Sequence, residues 1–347
     1  MPARFEDPVA AASLLVEQVG AVDGVVGTDG DAVAVAAATA RLLGLAANPP
    51  PAVRAAADKH HQRRAAAIAG VPQPAYTLVD GDDVGDWTTF PAVVKPLTRA
   101  ASQGVVRADT AGALADALVA VRRIVGAGEP LLIEEFVPGV EVAVEALLRD
   151  GKLEVLAVFD KPDTPQGPTF PETVLVSPAR LDPAVLDRVV DVVGRAVASV
   201  GLVEGPVHVE CKVDGADVWF LELGARTIGG LCSRALRNGD VSLEELVVRH
   251  ALCLPLPARP HRGGSGVLML PVARSGRLDA VRGVDAARGV AGVTDVVITV
   301  GPGQHVVALP AGDRYLGFVF ARAQAPDEVE AALRTAWAAL EFDIIAS

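Results

Sequence analysis

The chain has 347 residues, of which 51% are hydrophobic but only 4% aromatic, and its formal net charge is −12 with a sequence pI near 5.0. That length allows two or three domains around cores of Val, Ala and Leu, a composition that suits alternating strand and helix layers better than an aromatic-rich sandwich. The excess of carboxylates argues against nucleic acid as the main partner and leaves open a small anion held by a few local Lys and Arg residues.

In chain order, residues 9–22 and 31–45 read as helices around a short apolar strand, Gly24 to Gly27, which is half of a doubly wound α/β unit without its usual first strand and glycine turn. Asn48 to Pro51 reads as a turn, and Asp58 opens a helix that runs to Ala69. Gly70-Val71-Pro72 ends that helix and leads into an extended Tyr76–Val79. Phe90–Lys95 is a predicted strand, and Thr110–Val125 a helix capped by Thr110. Residues 131–137, 140–148 and 153–159 are successive strands joined at Pro138-Gly139 and Asp150-Gly151. Residues 160–180 hold five prolines and read as one long loop. A helix over 182–200 carries Val185, Val189, Val193 and Val197 on one stripe. Strands at Val207–Val213 and Val218–Leu223 are joined at Asp214-Gly215. A helix over Leu243–Leu254, a linker over Pro255–Gly266, strands near 267–272, 293–300 and 315–323, and a last helix over 326–340 complete the expectation.

Cys211, Cys232 and Cys253 have no metal-ligand spacing and cannot all pair within one chain, so reduced thiols are expected. Glu6 and Asp7 stand where a signal peptide would be basic and then apolar, and no run of about 18 apolar residues is present. The expected setting is the cytoplasm, without a membrane partner.

Glu210 and Glu222 lie on two strands joined by a tight turn, so both side chains can point to one face. Paired carboxylates amid apolar residues call for a compensating cation, and magnesium is usually held by one or two carboxylates plus substrate phosphates. Two solvated acids on an open face is the blander alternative. Lys95 ends a strand ahead of the small, hydroxyl-rich loop Thr98–Gly104, where a lysine and loop amides can receive phosphate oxygens. Lys59, at a helix start, gives a weaker signal. Glu134 to Glu141 offers strand-end backbone groups and a flat aromatic wall for a purine, with Glu141 available to ribose hydroxyls. Arg226 follows Glu222 by four positions and suits either a substrate carboxylate or an ordinary salt bridge.

The order Asp58-Lys59, Val94-Lys95-Pro96, Ser102–Gly104, Glu134–Glu141, His208-x-Glu210 and Glu222-x-x-x-Arg226 resembles the ATP-grasp superfamily over nearly the whole chain. Within it the likeness is greatest to the L-amino-acid ligase (carboxylate–amine ligase) group, through the run Ser265 to Pro271 and the later Gly312 to Phe318. The resemblance implies a fold that is both α/β and α+β: an ATP-grasp fold with a truncated N-terminal α/β domain (1–57), the ATP-grasp module (58–255, lid about 72–137) and a C-terminal α+β domain (264–347). It implies ATP and Mg2+ as cofactors, with Lys59 and Lys95 on phosphates and Ser102 to Gly104 as the closing loop. Glu135 and Val137 would supply backbone contacts to adenine, and Glu141 would bind ribose. Glu210 and Glu222 would hold magnesium, Arg226 would steady an acyl-phosphate, and Glu172 would face the acceptor.

The implied reaction joins a small-molecule carboxylate to an amine, both amino acids in this group, whose members are often homodimers. Three positions depart from the pattern: Gly224 stands where a metal-binding Asn is common, Ala101 and Gln103 where the phosphate loop usually has more glycine and an Arg, and Leu175 where several dipeptide-forming relatives have His. A ligase for a non-amino-acid carboxylate and a nucleotide-binding protein with little turnover are the other readings.

Overall fold

The computed structural model describes residues 7–81, 87–237, 239, 241–258 and 263–346. Three antiparallel sheets organise the chain, and the site is made where two of them face each other.

The chain starts with helices α1 (Pro8–Val19), α2 (Gly30–Leu42), α3 (Pro50–Ala56) and α4 (Lys59–Ile68). Asp7, Asp29 and Asp58 cap α1, α2 and α4 by accepting hydrogen bonds from first-turn amides. α1 and α2 end a few residues short of their expected limits, α1 at left-handed Gly20 and α2 just before left-handed Gly44. The turn expected at 48–51 opens into α3 instead, because prolines at the first helical positions lose no hydrogen bond there. Gly24 to Gly27 is not a strand. A strand needs a neighbour to complete its backbone bonds, and among the described residues this segment has none; Val26 packs instead against the core beside α7 (Leu243–Ala251).

The first sheet is ordered β1-β4-β2-β3, from β1 (Tyr76–Val79), β2 (Ala92–Pro96), β3 (Val106–Ala108) and β4 (Leu131–Glu135). Helix α5 (Ala111–Val125), capped by Thr110, covers one face through Leu114, Ala117, Leu118 and Val121.

The second sheet has eight strands in the order β12-β14-β10-β7-β6-β5-β8-β9. They are β5 (Val140–Arg149), β6 (Lys152–Lys161), β7 (Val174–Ser177), β8 (Gly205–Asp214), β9 (Asp217–Gly224), β10 (Gly264–Leu270), β12 (Val293–Ile298) and β14 (Gly317–Ala323). The expected 160–180 loop is therefore broken by β7, which bridges β6 at Asp160 and Val176 and pairs with β10 over Val174 to Ser177. Helix α6 (Pro183–Ser199) buries Val189, Val193 and Val197 on the β8–β9 end, as its stripe requires. Helix α9 (Pro326–Ala338) covers β10 and β14 through Val329, Leu333 and Ala336.

A small third sheet, β13-β11-β15, joins β11 (Gly276–Arg282), β13 (His305–Val306) and β15 (Glu341–Ile345), with the short α8 (Val284–Arg288) following β11. None of these four was expected. Helix α7 stops before the expected Leu254. Residues 259–262 of the expected linker lie outside the described residues, and β10 already begins at Gly264. No helix among the described residues is long and apolar enough to cross a membrane.

Candidate active site

A cleft of about 330 Å³ separates the four-stranded sheet from the eight-stranded one. Every site residue named from the sequence lines it except Gly104. Gly104 is buried at φ +73°, a Cβ there would come within 2.6 Å of Pro96, and its N–H donates to Pro310 O at 2.8 Å. It shapes the loop and cannot offer that amide to a phosphate. Its neighbour Gln103 donates through Nε2 to Ala311 O at 2.8 Å, so the loop rests on the 310–311 turn. Ala101 and Ser102 both hold left-handed backbone, unusual for residues with a Cβ, and Ser102 faces the cleft.

The acids of the cleft follow from strand register. Glu210 on β8 is the Cα partner of Glu222 on β9, across the hairpin closed at Asp214 and Asp217. The carboxylates that converge, however, are Glu141, Glu172 and Glu210, whose oxygens lie within 4.8 Å of one another. Lys161, at the end of β6, binds all three: Nζ is 2.5 Å from Glu141, 2.7 Å from Glu172 and 2.7 Å from Glu210. Glu222 instead turns towards Lys59, 3.4 Å away. Burial opposes charge on Lys161, but the three carboxylates raise its pKa well above the ordinary value. Burial would raise Glu210 too, yet Lys161 and His208 hold it well below the carboxylate range. Glu172 is the one that yields: burial and the neighbouring Glu210 and Glu141 lift it to about 7 against the pull of Lys161.

Behind these acids sits Glu145 on β5, with 1% exposure. One oxygen meets His208 Nδ1 and the other accepts Ile228 N–H at 2.9 Å, while His208 Nε2 is 3.3 Å from Glu210. Burial would lower the His208 pKa, but Glu145 and Glu210 raise it to about 10, which favours the protonated ring. The loop carrying Arg226 and the acid on β8 are thereby tied to one buried carboxylate. Arg226 donates to Thr227 O at 2.8 Å and has no carboxylate partner among the described residues, which sets aside an ordinary salt bridge.

On the other side Lys95 Nζ is 2.7 Å from Glu134, whose second oxygen takes Arg63 Nε at 2.6 Å. Arg63, on α4, also donates to Phe220 O and Leu221 O of β9 at 3.3 and 2.5 Å, so one buried guanidinium joins the two sheets. Lys59 Nζ donates to Arg99 O at 2.6 Å. Glu135 N–H is already spent on Ala75 O, whereas the N–H of buried Val137 has no partner among the described residues and remains available to a ligand. Phe136 stacks on Phe170 at 6.4 Å and lies under the Arg107 guanidinium at 4.4 Å, a flat wall beside Val137.

Lys161, Glu145 and Arg63 were not singled out from the sequence, and Glu134 was named only as the start of the Glu134–Glu141 segment, not for its ion pairs. Each is a charged residue whose partners lie on other elements, and nothing in its local pattern shows the pairing. His208 was visible only through its spacing to Glu210.

The Glu134 pairings give a pH expectation. Burial alone would raise its pKa, but Arg63 and Lys95 bring it from 4.5 down to about 2. A carboxyl depressed in the folded state adds stability above its unfolded pKa and loses it as pH falls through the folded one. Between pH 5 and pH 2 the unfolding free energy of the wild type should therefore fall more steeply than that of Glu134→Gln. Urea titrations across that range check this; parallel curves would show that the depression is absent.

The chain matches the ATP-grasp domain family over residues 88–235 and the L-amino acid ligase C-terminal domain 2 over residues 268–344. Its fold is similar to the crystal structure of L-amino acid ligase from Bacillus licheniformis, with a TM-score of 0.83 and 26% identity over 98% of this chain and 86% of that one. An uncharacterised protein of Sinorhizobium fredii is 28% identical over 80% of this chain and 59% of its own length. Carnosine synthase 1 of Homo sapiens is 33% identical over 42% of this chain and 18% of its own length. The chain thus spans less than two thirds of these two curated relatives. It carries an ATP-grasp domain followed by the C-terminal domain type of the L-amino acid ligases.

Proposed function

We propose that this chain is an ATP-dependent carboxylate–amine ligase that forms an amide or dipeptide bond through an acyl-phosphate. The observation that carries it is the cleft itself: facing acids and lysines at its centre, and beside them an arginine with no carboxylate partner among the described residues. In the same reading residues 1–57, 58–255 and 264–347 are the N-terminal, ATP-grasp and C-terminal domains.

The donor set suits a hard cation, because Glu210 and Glu222 are Cα partners on β8 and β9 and Glu141 and Glu172 bring two further carboxylates to Glu210. Glu210 and Glu222 would hold Mg2+, which on binding would offset phosphate charge. Lys59 and Lys95 receive the ATP phosphates, the Val137 amide and the Phe136 wall hold adenine, and Glu141 reaches ribose. A substrate carboxylate oxygen attacks the γ-phosphorus, the bond to the bridging oxygen breaks and ADP leaves. Arg226 holds the carboxylate and the charge that develops on the transferring group. The amine, freed of its extra proton, attacks the acyl carbon; the C–O bond to phosphate breaks, phosphate departs and the nitrogen loses a second proton. Glu172, with its pKa lifted to about 7, is suited to hold and accept the ammonium proton.

ADP release in MgATP with and without a panel of amino acids separates a ligase from a binder. Within it, Glu172→Ala should raise the KM for the acceptor and spare ATP affinity. Arg226→Ala should depress kcat instead, since its contact strengthens as charge develops. Equal losses of ATP and acceptor affinity in Glu172→Ala would make the 162–173 segment a nucleotide lid.

A further inference from the structure

One wall of the cleft carries no charge. Strand alternation on β7, β10 and β14 sends Leu175, Met269 and Phe318 to one face, and Val174, Leu268 and Val319 to the face under α9. Ile228 and Cys232, which follow Arg226 in the chain, come from the opposite side, and Tyr315 completes the wall with its ring 6.0 Å from that of Phe318. All but Tyr315 are buried. The segment between Arg226 and Cys232 is pressed onto Phe318: Gly230 sits at φ +61°, and a Cβ there would come within 3.0 Å of the Phe318 ring.

The nearby acids do not belong to this wall. Asp163 is engaged by Thr173 and Arg334, Glu172 by Lys161, and Asp313 lies on the exposed rim. Leu175 is the decisive position. A basic or hydrogen-bonding residue there would give the wall a polar partner for a substrate, and leucine gives none. A charged side chain against this wall would shed hydration without gaining a partner from it, whereas an apolar one would gain contact with Leu175, Met269 and Phe318.

We propose that the wall is a side-chain pocket for the amino acid whose carboxylate is phosphorylated, and that it selects aliphatic or aromatic side chains. The carboxylate lies at Arg226, two residues before Ile228, so the side chain beyond it points into the pocket. This rests on the ligase reading, and the test separates the two.

Melting temperature is measured with Mg2+ and a non-hydrolysable ATP analogue in the presence of Leu, Met, Phe, Asp or Lys, and ADP release is measured with ATP and the same amino acids. Leu, Met and Phe should raise the melting temperature and support ADP release at least tenfold above Asp or Lys, in line with the 10–200-fold that roughly one methylene can contribute. Met269→Ala, which widens the pocket, should shift the Phe-to-Leu ratio of kcat/KM towards Phe by about tenfold, a change that general loss of stability would not produce. Preference for Asp or Lys, or an unchanged ratio in the variant, would overturn the pocket and leave the ligase standing. No melting shift with any amino acid would also overturn it. Shifts with Leu, Met and Phe but no ADP release with any carboxylate would support the pocket and overturn the ligase.

Discussion

Glu222→Gln should lower ADP formation roughly 100- to 1000-fold while the protein stays folded. The carboxylate is the β9 partner of Glu210 and is only half-buried, with a single loose contact at 3.4 Å to Lys59, so little packing depends on its charge. Its proposed role is to hold magnesium against the phosphates, and metal assistance of this kind is worth several kcal/mol at the transition state, where about 1.4 kcal/mol is tenfold in rate. The loss should be accompanied by a higher Mg2+ requirement for binding a fluorescent ATP analogue, with an unaltered circular dichroism spectrum. A variant with wild-type rate and wild-type Mg2+ dependence would remove Glu222 from the metal site.

The second large effect is on stability. Arg63 is 1% exposed, pairs with Glu134 at 2.6 Å and binds two carbonyls of β9, so it bolts the four-stranded sheet to the eight-stranded one. Arg63→Met leaves Glu134 buried with Lys95 as its remaining cation and strands the Phe220 and Leu221 carbonyls. Breaking a buried pair from one side costs about 3–5 kcal/mol, whereas replacing both members with apolar residues is often close to neutral. The single variant should therefore lose about that much in urea denaturation, and Arg63→Met with Glu134→Leu should regain most of it, since Lys95 lies at the cleft and can turn to water. A double variant no more stable than the single one would show that the carbonyl contacts, and not the charge pair, carry the stabilisation.

The parts of the fold that were legible in the sequence are those specified locally. Asp58 and Thr110 cap helices by reaching amides three residues on, and the Val189, Val193 and Val197 stripe needs only a 3.6-residue period. The hairpin that brings β8 beside β9 is set by its short turn, but the Glu210–Glu222 pairing also needs a register shift between Cys211 and Glu210, without which Glu210 would face Leu221. What stayed hidden depends on distant partners. β7 is four residues long and gains its place from β10, about ninety positions later; β11 depends on β15 near the other end of the C-terminal segment. The Gly24 to Gly27 segment shows the converse, a strand-like sequence that has no neighbour to pair with among the described residues. The same distinction governs the site. Carboxylates at the turn-linked strands were visible, but Lys161, which gathers Glu141, Glu172 and Glu210, is seen only once β5, β6 and β8 lie side by side. Gly104 fits the loop for the opposite reason to the one its position suggests: it accommodates Pro96 and gives its amide to Pro310.

The most direct test of the acyl-phosphate route follows an oxygen atom. A substrate amino acid labelled with ¹⁸O in its carboxylate is incubated with the enzyme, MgATP and an acceptor amine, and the phosphate released is examined by ³¹P NMR. If the carboxylate attacks the γ-phosphorus and phosphate then leaves from carbon, each phosphate carries one carboxylate-derived ¹⁸O. Phosphate free of the label, with amide formed nonetheless, would contradict the acyl-phosphate, because the carboxylate oxygen would then never have been bonded to phosphorus.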